Sequence, residues 1–323
     1  MFDVRLAVLA LAASLLLPAS GGARAGDGPR VHVNADTPEL ARSEGERRRH
    51  GKRRRKSDDG GEGGGNTLPC AACTALDGFV EPGQIDDEVR LMVGKTMGGD
   101  KAHAVEIQKA RGGIETGLKA AFINGAGCPE IDAEQWAIDY SHKRSTPAIH
   151  KGVDIPQPRG TPIRAVAAGV VVGKFMNEHN RKGIEVVLRH MPEDTGIGLW
   201  TYSQYTHLQE MSPLAIGARV AIGDEIGKTA NTGVMGRRER RDALHFAIMY
   251  SRAPEWSNDG IFVIPKDGYW MDPNAFYRPA PPYESQALAA MPDDAKSVPV
   301  SYMKPDRSMV PPTAKRIWPY PCP

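Results

Sequence analysis

The sequence predicts a mainly β protein, a compact antiparallel sandwich or barrel-like domain preceded by a small helical segment. From about Pro147 onward, short apolar runs alternate with glycines and prolines, and no helical spacers separate them. Parallel strands need such spacers, so an antiparallel sheet is favoured. Nearer the N-terminus, Ile85–Met97 and Ala102–Ile123 space their apolar residues by three and four, which is typical of helices.

Residues 1–25 have the pattern of a secretory signal peptide. Arg5 ends a short N-terminal region, Leu6–Leu17 is apolar, and Ala23–Ala25 supplies the small residues of a cleavage site. The alternative is an uncleaved N-terminal anchor, although the apolar run is short for a membrane span. No later run is apolar for long enough to cross a membrane, so we expect an exported protein, periplasmic or extracellular.

Residues 26–68 have the composition of a disordered linker. Arg47–Lys56 is almost entirely basic, glycines dominate Gly60–Gly65, and few apolar residues are available to offset the entropy of ordering. The run is either a solvated linker or an electrostatic tether to anionic envelope polymers or a membrane surface. It lacks interleaved aromatic residues, so nucleic acid is not an expected partner.

Residues 69–140 are interpreted as a small helical lead-in, and residues 279–323 as a proline-rich tail that packs over the β domain. The lead-in is expected to end with a short helix at Ala133–Tyr140, capped by Asp132. We find no catalytic grouping in the lead-in, and one interpretation is that it caps the cleft of the following domain and keeps it latent.

Four cysteines are candidates for disulfide bonds because export places them in an oxidising compartment. They are Cys70, Cys73, Cys128 and Cys322, and the sequence does not choose among their three pairings. Cys70-x-x-Cys73 has no thioredoxin-like context and no second such motif, so a structural bridge is favoured over a redox or zinc motif. Cys128 is one candidate partner for Cys322.

The β domain is assigned to residues 141–278. Its predicted strands are Ile163–Ala167, Gly169–Phe175, Ile184–His190, Leu199–His207, Arg219–Val220, Glu225–Thr229 and Ala243–Tyr250. Nothing in it suggests nucleotide binding, because no glycine-rich phosphate loop follows a strand and opens a helix.

An imidazole and a carboxylate lie four residues apart in the stretch that begins at His150. In a straight strand the roots of His150 and Asp154 would be roughly 13 Å apart. That separation is too large to share an ion whose bonds are about 2 Å long. Val153 and Pro156 argue against a helix. The segment must therefore curl at Gly152 if both residues serve one site.

Two later strands carry histidines that would complete such a site. In the strand that contains His245, Leu244 and Phe246 form the core face, so His245 points the other way beside small residues. His207 ends an earlier strand. Two imidazoles and one carboxylate are a three-ligand zinc set with a fourth position for water. A further histidine can orient that water or carry its proton.

These stretches and several others occur in a recognisable order. They are His150-x-x-x-Asp154, Gly160–Val166, Gly169–Val171, Tyr205–Leu208, Gly217–Gly227, Asn231–Gly233 and Leu244–Phe246. Together they resemble the lysostaphin-type, or LytM-like, zinc peptidases over about Pro147 to Tyr250, which is under half of the chain.

The resemblance implies an antiparallel domain of the duplicated hybrid motif type that holds one zinc ion on His150, Asp154 and His245. It implies His207 as a catalytic histidine and peptidoglycan as the partner, since family members cut peptide bonds in its stems or cross-bridges. We therefore expect an exported zinc metalloendopeptidase that acts through metal-activated water.

The sequence departs from the family pattern at Ala243, where the family has the first histidine of a His-x-His motif. Loss of one transition-state stabiliser commonly costs about 100- to 1000-fold in rate. Arg237 and Arg241, in the loop before Ala243, are candidates to hold the developing oxyanion, and the alternative is a solvated basic loop. Tyr202 is a candidate floor of the substrate groove, or a packing residue. The second functional hypothesis is therefore an impaired zinc-bearing domain that binds cell wall or regulates a wall hydrolase.

Overall fold

We describe the fold from a computed structural model of the chain, which covers residues 70–94, 100–141, 146–177, 182–234 and 241–323. These residues fall within one compact unit. The predicted signal peptide, the linker with Arg47–Lys56, and Arg237 lie outside the described residues. Among the described residues, no helix combines the length and the apolarity that a membrane crossing requires.

The strands of the described chain are β1 (Lys119–Phe122), β2 (Val153–Pro156), β3 (Pro162–Arg164), β4 (Gly169–Asn177), β5 (Gly183–His190), β6 (Trp200–Thr206), β7 (Arg219–Val220), β8 (Glu225–Lys228), β9 (Ala243–Ser251), β10 (Trp256–Asn258), β11 (Val263–Pro265), β12 (Tyr269–Met271), β13 (Ser297–Val300), β14 (Tyr302–Met303) and β15 (Met309–Val310). The centre of the molecule is a seven-stranded antiparallel sheet in the order β12-β9-β6-β5-β4-β7, with β2 also paired to β9.

The mainly β prediction is confirmed, and each of the seven predicted strands is present with ends that move by at most about three residues. β5, β6 and β9 are almost wholly buried. The reason is that residues of the lead-in and the tail pack on the sheet in addition to the core of the β domain itself. Two smaller antiparallel pairs, β3 with β8 and β10 with β11, pack on the same hydrophobic core.

The lead-in contains two helices, α1 (Asp87–Val93) and α2 (Lys101–Ala110). The side chains of Asp86 and Asp100 accept hydrogen bonds from backbone N–H groups of the first turns and so begin each helix. The prediction that the second helix continues to Ile123 is wrong. The chain turns at Gly112, where φ is +96°, and then becomes extended into β1.

The short helix predicted at Ala133–Tyr140 is also wrong. This segment is irregular, with a turn at Trp136 and Ala137 where φ of Ala137 is +58°, and most of its backbone bonds go to the chain at His150 and Asp154. Asp132 bonds the N–H of Ala133, which is not the contact of a helix cap. The consequence is that the lead-in lies directly against residues of the candidate site.

The remaining helical elements are short. They are α3 (Pro192–Thr195), α4 (Ser285–Ala289) and the 3₁₀ turns Ala71–Cys73, Pro82–Gln84, Ile123–Gly125, Ala275–Tyr277 and Asp293–Ala295.

The tail packs over the β domain, as predicted. The Pro319 carbonyl accepts from the backbone N–H of Arg164 at 2.8 Å, and the N–H of Ile317 donates to the Val166 carbonyl at 2.8 Å. Strand β13 of the tail pairs in parallel with β1 of the lead-in. Lead-in, sheet and tail therefore share one hydrophobic core.

Two disulfides are present, Cys70–Cys73 and Cys128–Cys322. The structural bridge favoured at the Cys-x-x-Cys pair is confirmed. Cys128, which was one candidate partner for Cys322, is the residue bonded to it. The second bridge joins the lead-in to the tail across 194 residues of chain.

Candidate metal centre

Strands β2 and β9 bring Asp154 and His245 together because the two residues are directly paired in the antiparallel register. Side chains of such a pair project to the same face of a sheet with their Cβ atoms about 4.5–5.5 Å apart. His150 reaches the same place because the chain bends at Gly152 before β2 begins at Val153. The curl that the sequence required is therefore present.

Gly152 is the residue that permits this approach. A Cβ atom there would lie 2.6 Å from His245 Cε1, 2.7 Å from His245 Nε2 and 2.7 Å from the carbonyl oxygen of Phe246. All three distances are below ordinary van der Waals contact. The absence of a side chain lets the His150 segment pass directly beside the His245 ring.

Three potential ligand atoms converge in this cluster. His150 Nε2 lies 3.0 Å from His245 Nδ1 and 3.3 Å from Asp154 Oδ1. His245 Nδ1 lies 2.9 Å from Asp154 Oδ1. Tetrahedral zinc with bonds of about 2.05 Å would separate its ligands by roughly 3.3 Å. The donor set and its spacing therefore fit a zinc ion.

Burial and mutual hydrogen bonding set the charges of the cluster. Burial alone would raise the pKa of Asp154, but hydrogen bonds with His150 and His245 and the charges of both rings outweigh burial and hold that pKa well below its usual range. Burial lowers the pKa of His245 to about 4, against the opposing effect of Asp154. A carboxylate and neutral imidazoles are the protonation states that a metal requires.

His207 lies beside the cluster, with its ring centroid 6.0 Å from that of His245. It follows β6 directly, where Thr206 pairs with His245, and its backbone φ of +68° is uncommon outside glycine. Its Nδ1–H donates to the carbonyl of Thr232 at 2.8 Å. Burial lowers the pKa of His207, so the ring is neutral near pH 7 and Nε2 is left as an acceptor.

The sequence does not identify Thr232 as a site residue, although it lies in the Asn231–Gly233 motif. Its hydroxyl donates to the Leu208 carbonyl at 2.8 Å and accepts from the Ile184 N–H at 3.1 Å. These two bonds fix the carbonyl that holds His207. The Asn231–Gly233 motif therefore indicates the site, but the sequence does not show that Thr232 contacts His207.

Gln135 of the lead-in also reaches the cluster, through its backbone. The carbonyl oxygen of Gln135 accepts a hydrogen bond from His150 Nδ1 at 2.9 Å, which leaves Nε2 to face Asp154 and His245. The Tyr140 ring stacks on His150 with centroids 5.0 Å apart and an angle of 27° between the planes. Nothing in the pattern of the sequence connects either residue to a metal site.

The other predicted contacts occupy different positions. Ala243 is buried and lies on the same face of β9 as His245, with Pro156 as its strand partner. The guanidinium of Arg241 forms an ion pair with Asp132 and lies 3.7 Å from Asp154 Oδ2. It is therefore engaged with carboxylates.

Tyr202 is fully buried within β6, between Arg189 of β5 and Met249 of β9. Burial raises the pKa of its hydroxyl to about 12. This position matches the packing interpretation, because no part of the side chain reaches the surface of a groove.

An antiparallel β domain that gathers two imidazoles and a carboxylate within ligand distance has the features of a metalloprotein of the hydrolase type. Residues 148–256 match the family described as Peptidase family M23. The family resemblance seen in the sequence is thereby confirmed for this part of the chain, and members of that family are zinc metallopeptidases.

Individual proteins are also similar to part of this chain. An uncharacterized protein of Haemophilus influenzae is 30% identical over 105 residues, which are 32% of this chain and 22% of that protein. The match thus spans less than a quarter of the relative. Among solved structures, LytU is 27% identical with a TM-score of 0.34, over 46% of this chain and 85% of that chain. The catalytic domain of lysostaphin from Staphylococcus simulans is 25% identical with a TM-score of 0.27, over 34% of this chain and 75% of that chain.

Proposed function

We propose that this protein is an exported zinc metalloendopeptidase that hydrolyses peptide bonds in peptidoglycan stems or cross-links. The observation that carries the proposal is the convergence of His150, Asp154 and His245 within a domain of peptidase family M23. Zinc, when bound, acidifies water and polarises a peptide carbonyl, which makes an amide attackable at neutral pH. His150 Nε2, Asp154 Oδ1 and His245 Nδ1 are the atoms that would hold it.

We assign general acid–base catalysis to His207. Because its Nδ1–H is engaged with Thr232, a neutral His207 offers Nε2 as a base toward water and can then return the proton to the leaving amine. The carbonyl of Thr232 keeps the ring in this tautomer and steadies the imidazolium that forms. Such general acid–base assistance contributes about 100- to 10,000-fold.

The test combines metal analysis with digestion of sacculi. Wild-type protein is expected to contain about one zinc per chain and to release soluble peptides that mass spectrometry detects. His207→Ala should keep its zinc and release peptides at least about 100-fold more slowly. His245→Ala should lose both the metal and the activity. A wild-type protein that holds zinc and releases no peptide would refute the endopeptidase.

Ala243 favours a second candidate function, an impaired zinc-bearing domain that binds cell wall or regulates a wall hydrolase. The methyl group of Ala243 cannot take part in acid–base chemistry, and Arg241 is engaged with Asp132. Under this alternative, wild-type protein binds zinc and sacculi without cutting them, and Ala243→His creates peptide release. If wild type already cuts and Ala243→His changes the rate by less than about tenfold, the alternative is excluded.

The predicted signal peptide carries the proposal of export, and the basic run at Arg47–Lys56 carries a proposed attraction to anionic envelope polymers. Fractionation of cells that express the full chain tests the first. Binding to anionic polymer at low and high salt, with Arg47–Lys56 intact or neutralised, tests the second.

A further inference from the structure

The lead-in segment 132–140 lies outside residues 148–256 and yet bonds the backbone of two candidate ligands. The Asp132 N–H donates to the Asp154 carbonyl at 2.9 Å, and the Asp154 N–H donates to the Glu134 carbonyl at 3.2 Å. The Ala137 N–H donates to the His150 carbonyl at 2.9 Å, and the His150 N–H donates to the carbonyl of Ile138 at 2.9 Å. Both main-chain groups of both ligands are therefore held by this one segment.

The same segment also fixes the ring of His150. The Gln135 carbonyl accepts from Nδ1 at 2.9 Å, and the Tyr140 ring covers one face of the imidazole. A ligating histidine depends on such partners for its tautomer and orientation, and their loss typically weakens metal affinity about 10- to 100-fold. Tyr140 is buried, so its stacking is not shared with solvent.

The carboxylate ligand is held from the same side. Asp132 forms an ion pair with Arg241, whose guanidinium lies 3.7 Å from Asp154 Oδ2. Asp154 Oδ1 is thereby left to the two imidazoles. The carboxylate of Asp132 also balances the charge of Arg241, which would otherwise repel a cation at this position.

We propose that Tyr140 and Asp132 are positioning residues of the metal centre, and that segment 132–140 sets the ligand geometry before a metal ion binds. This inference rests on the proposed zinc site and deepens it. It opposes the hypothesis that the lead-in is a removable cap, because a segment that orients His150 and Asp154 cannot be detached without loosening the ligands. The part of the chain that an intact metal centre requires therefore extends beyond residues 148–256 and includes this segment.

The experiment measures zinc affinity on the full chain by competition with a chromophoric chelator, and ligand geometry by the visible absorption spectrum of the cobalt-substituted protein. Tyr140→Leu and Asp132→Asn are expected to weaken zinc binding about 10- to 100-fold and to change the cobalt spectrum. Tyr140→Phe keeps the ring and is expected to bind zinc within about threefold of wild type.

A matched control separates positioning from stability. Phe122 belongs to the same lead-in but packs against Trp318 of the tail, with ring centroids 5.3 Å apart. Phe122→Leu is expected to lower the melting temperature while zinc affinity and the cobalt spectrum stay as in wild type. If Tyr140→Leu and Asp132→Asn behave like Phe122→Leu, the inference is overturned and the proposed function stands. If wild type binds no zinc, both fall.

Discussion

Replacement of Gly152 by alanine is the sharpest test of how the metal centre is built. The new Cβ atom would meet His245 Cε1 at 2.6 Å, where ordinary contact begins at about 3.4 Å, so the ring would have to move by about 0.8 Å. Metal–ligand bonds tolerate deviations of about 0.2 Å. The Phe246 carbonyl, 2.7 Å from the same Cβ, blocks escape by a small shift of the chain.

We therefore expect Gly152→Ala to weaken zinc binding by at least about 100-fold and to lower the free energy of unfolding by about 1–3 kcal/mol through overpacking. Zinc affinity is measured by chelator competition, and stability by urea unfolding of the metal-free protein. Gly83→Ala is the matched control, because no atom lies within 4 Å of its added Cβ. If Gly152→Ala bound zinc as tightly as Gly83→Ala, the close approach at His245 would not be what shapes the site.

Two further predictions concern stability. His190 is fully buried, and burial lowers its pKa to about 4, so the unfolded chain binds a proton near pH 6.5 that the folded protein refuses until about pH 4. The free energy of unfolding that this group contributes is lost as pH falls through that window, by about 2 kcal/mol at pH 5. Urea unfolding at pH 7 and pH 5 should therefore show a smaller loss of unfolding free energy for His190→Gln than for wild type, and equal losses would contradict this. Removing the Cys128–Cys322 bridge by alanine substitution should lower the free energy of unfolding by up to about 5 kcal/mol, against about 1.6 kcal/mol for Cys70–Cys73. The difference follows because the closed loops span 194 and 3 residues, and equal losses in urea unfolding would contradict it.

The strands and the candidate ligands could be predicted from the sequence because both depend on local patterns. Alternation and turn residues place β4, β5, β6 and β9 to within a few residues. The ligand chemistry of His150, Asp154 and His245, together with motif order, indicates one site, and the structure brings their donor atoms together. Gly152 was identifiable because the geometry of a strand demands a bend there.

The role of segment 132–140 could not be predicted, because it depends on main-chain bonds that side-chain spacing does not reveal. Trp136, Ala137 and Tyr140 are buried at helical spacing, yet the segment is not a helix and turns at Trp136 and Ala137. Its N–H and C=O groups find partners in the His150–Asp154 segment instead of in a helix. The spacing of apolar residues indicates which side chains are buried, but not the backbone conformation. Here a helix and the observed segment would bury the same side chains.

The neighbours of Arg241 were equally hidden in the sequence. A basic loop suggests either solvent or a negatively charged substrate, but Asp132 lies more than a hundred residues away along the chain and supplies the partner. Contacts between such distant charges follow from the topology, not from local composition.

The long span between Cys128 and Cys322 has a consequence for biosynthesis. At about 5–20 residues per second, a ribosome needs roughly 10–40 seconds to make the intervening chain, and Cys128 lacks its native partner during this interval. Cys70 and Cys73 are already made by then and are the competitors for it. Once Cys70 and Cys73 are bonded to each other, neither can react with Cys128. Closure of the short bridge therefore favours the pairing of Cys128 with Cys322.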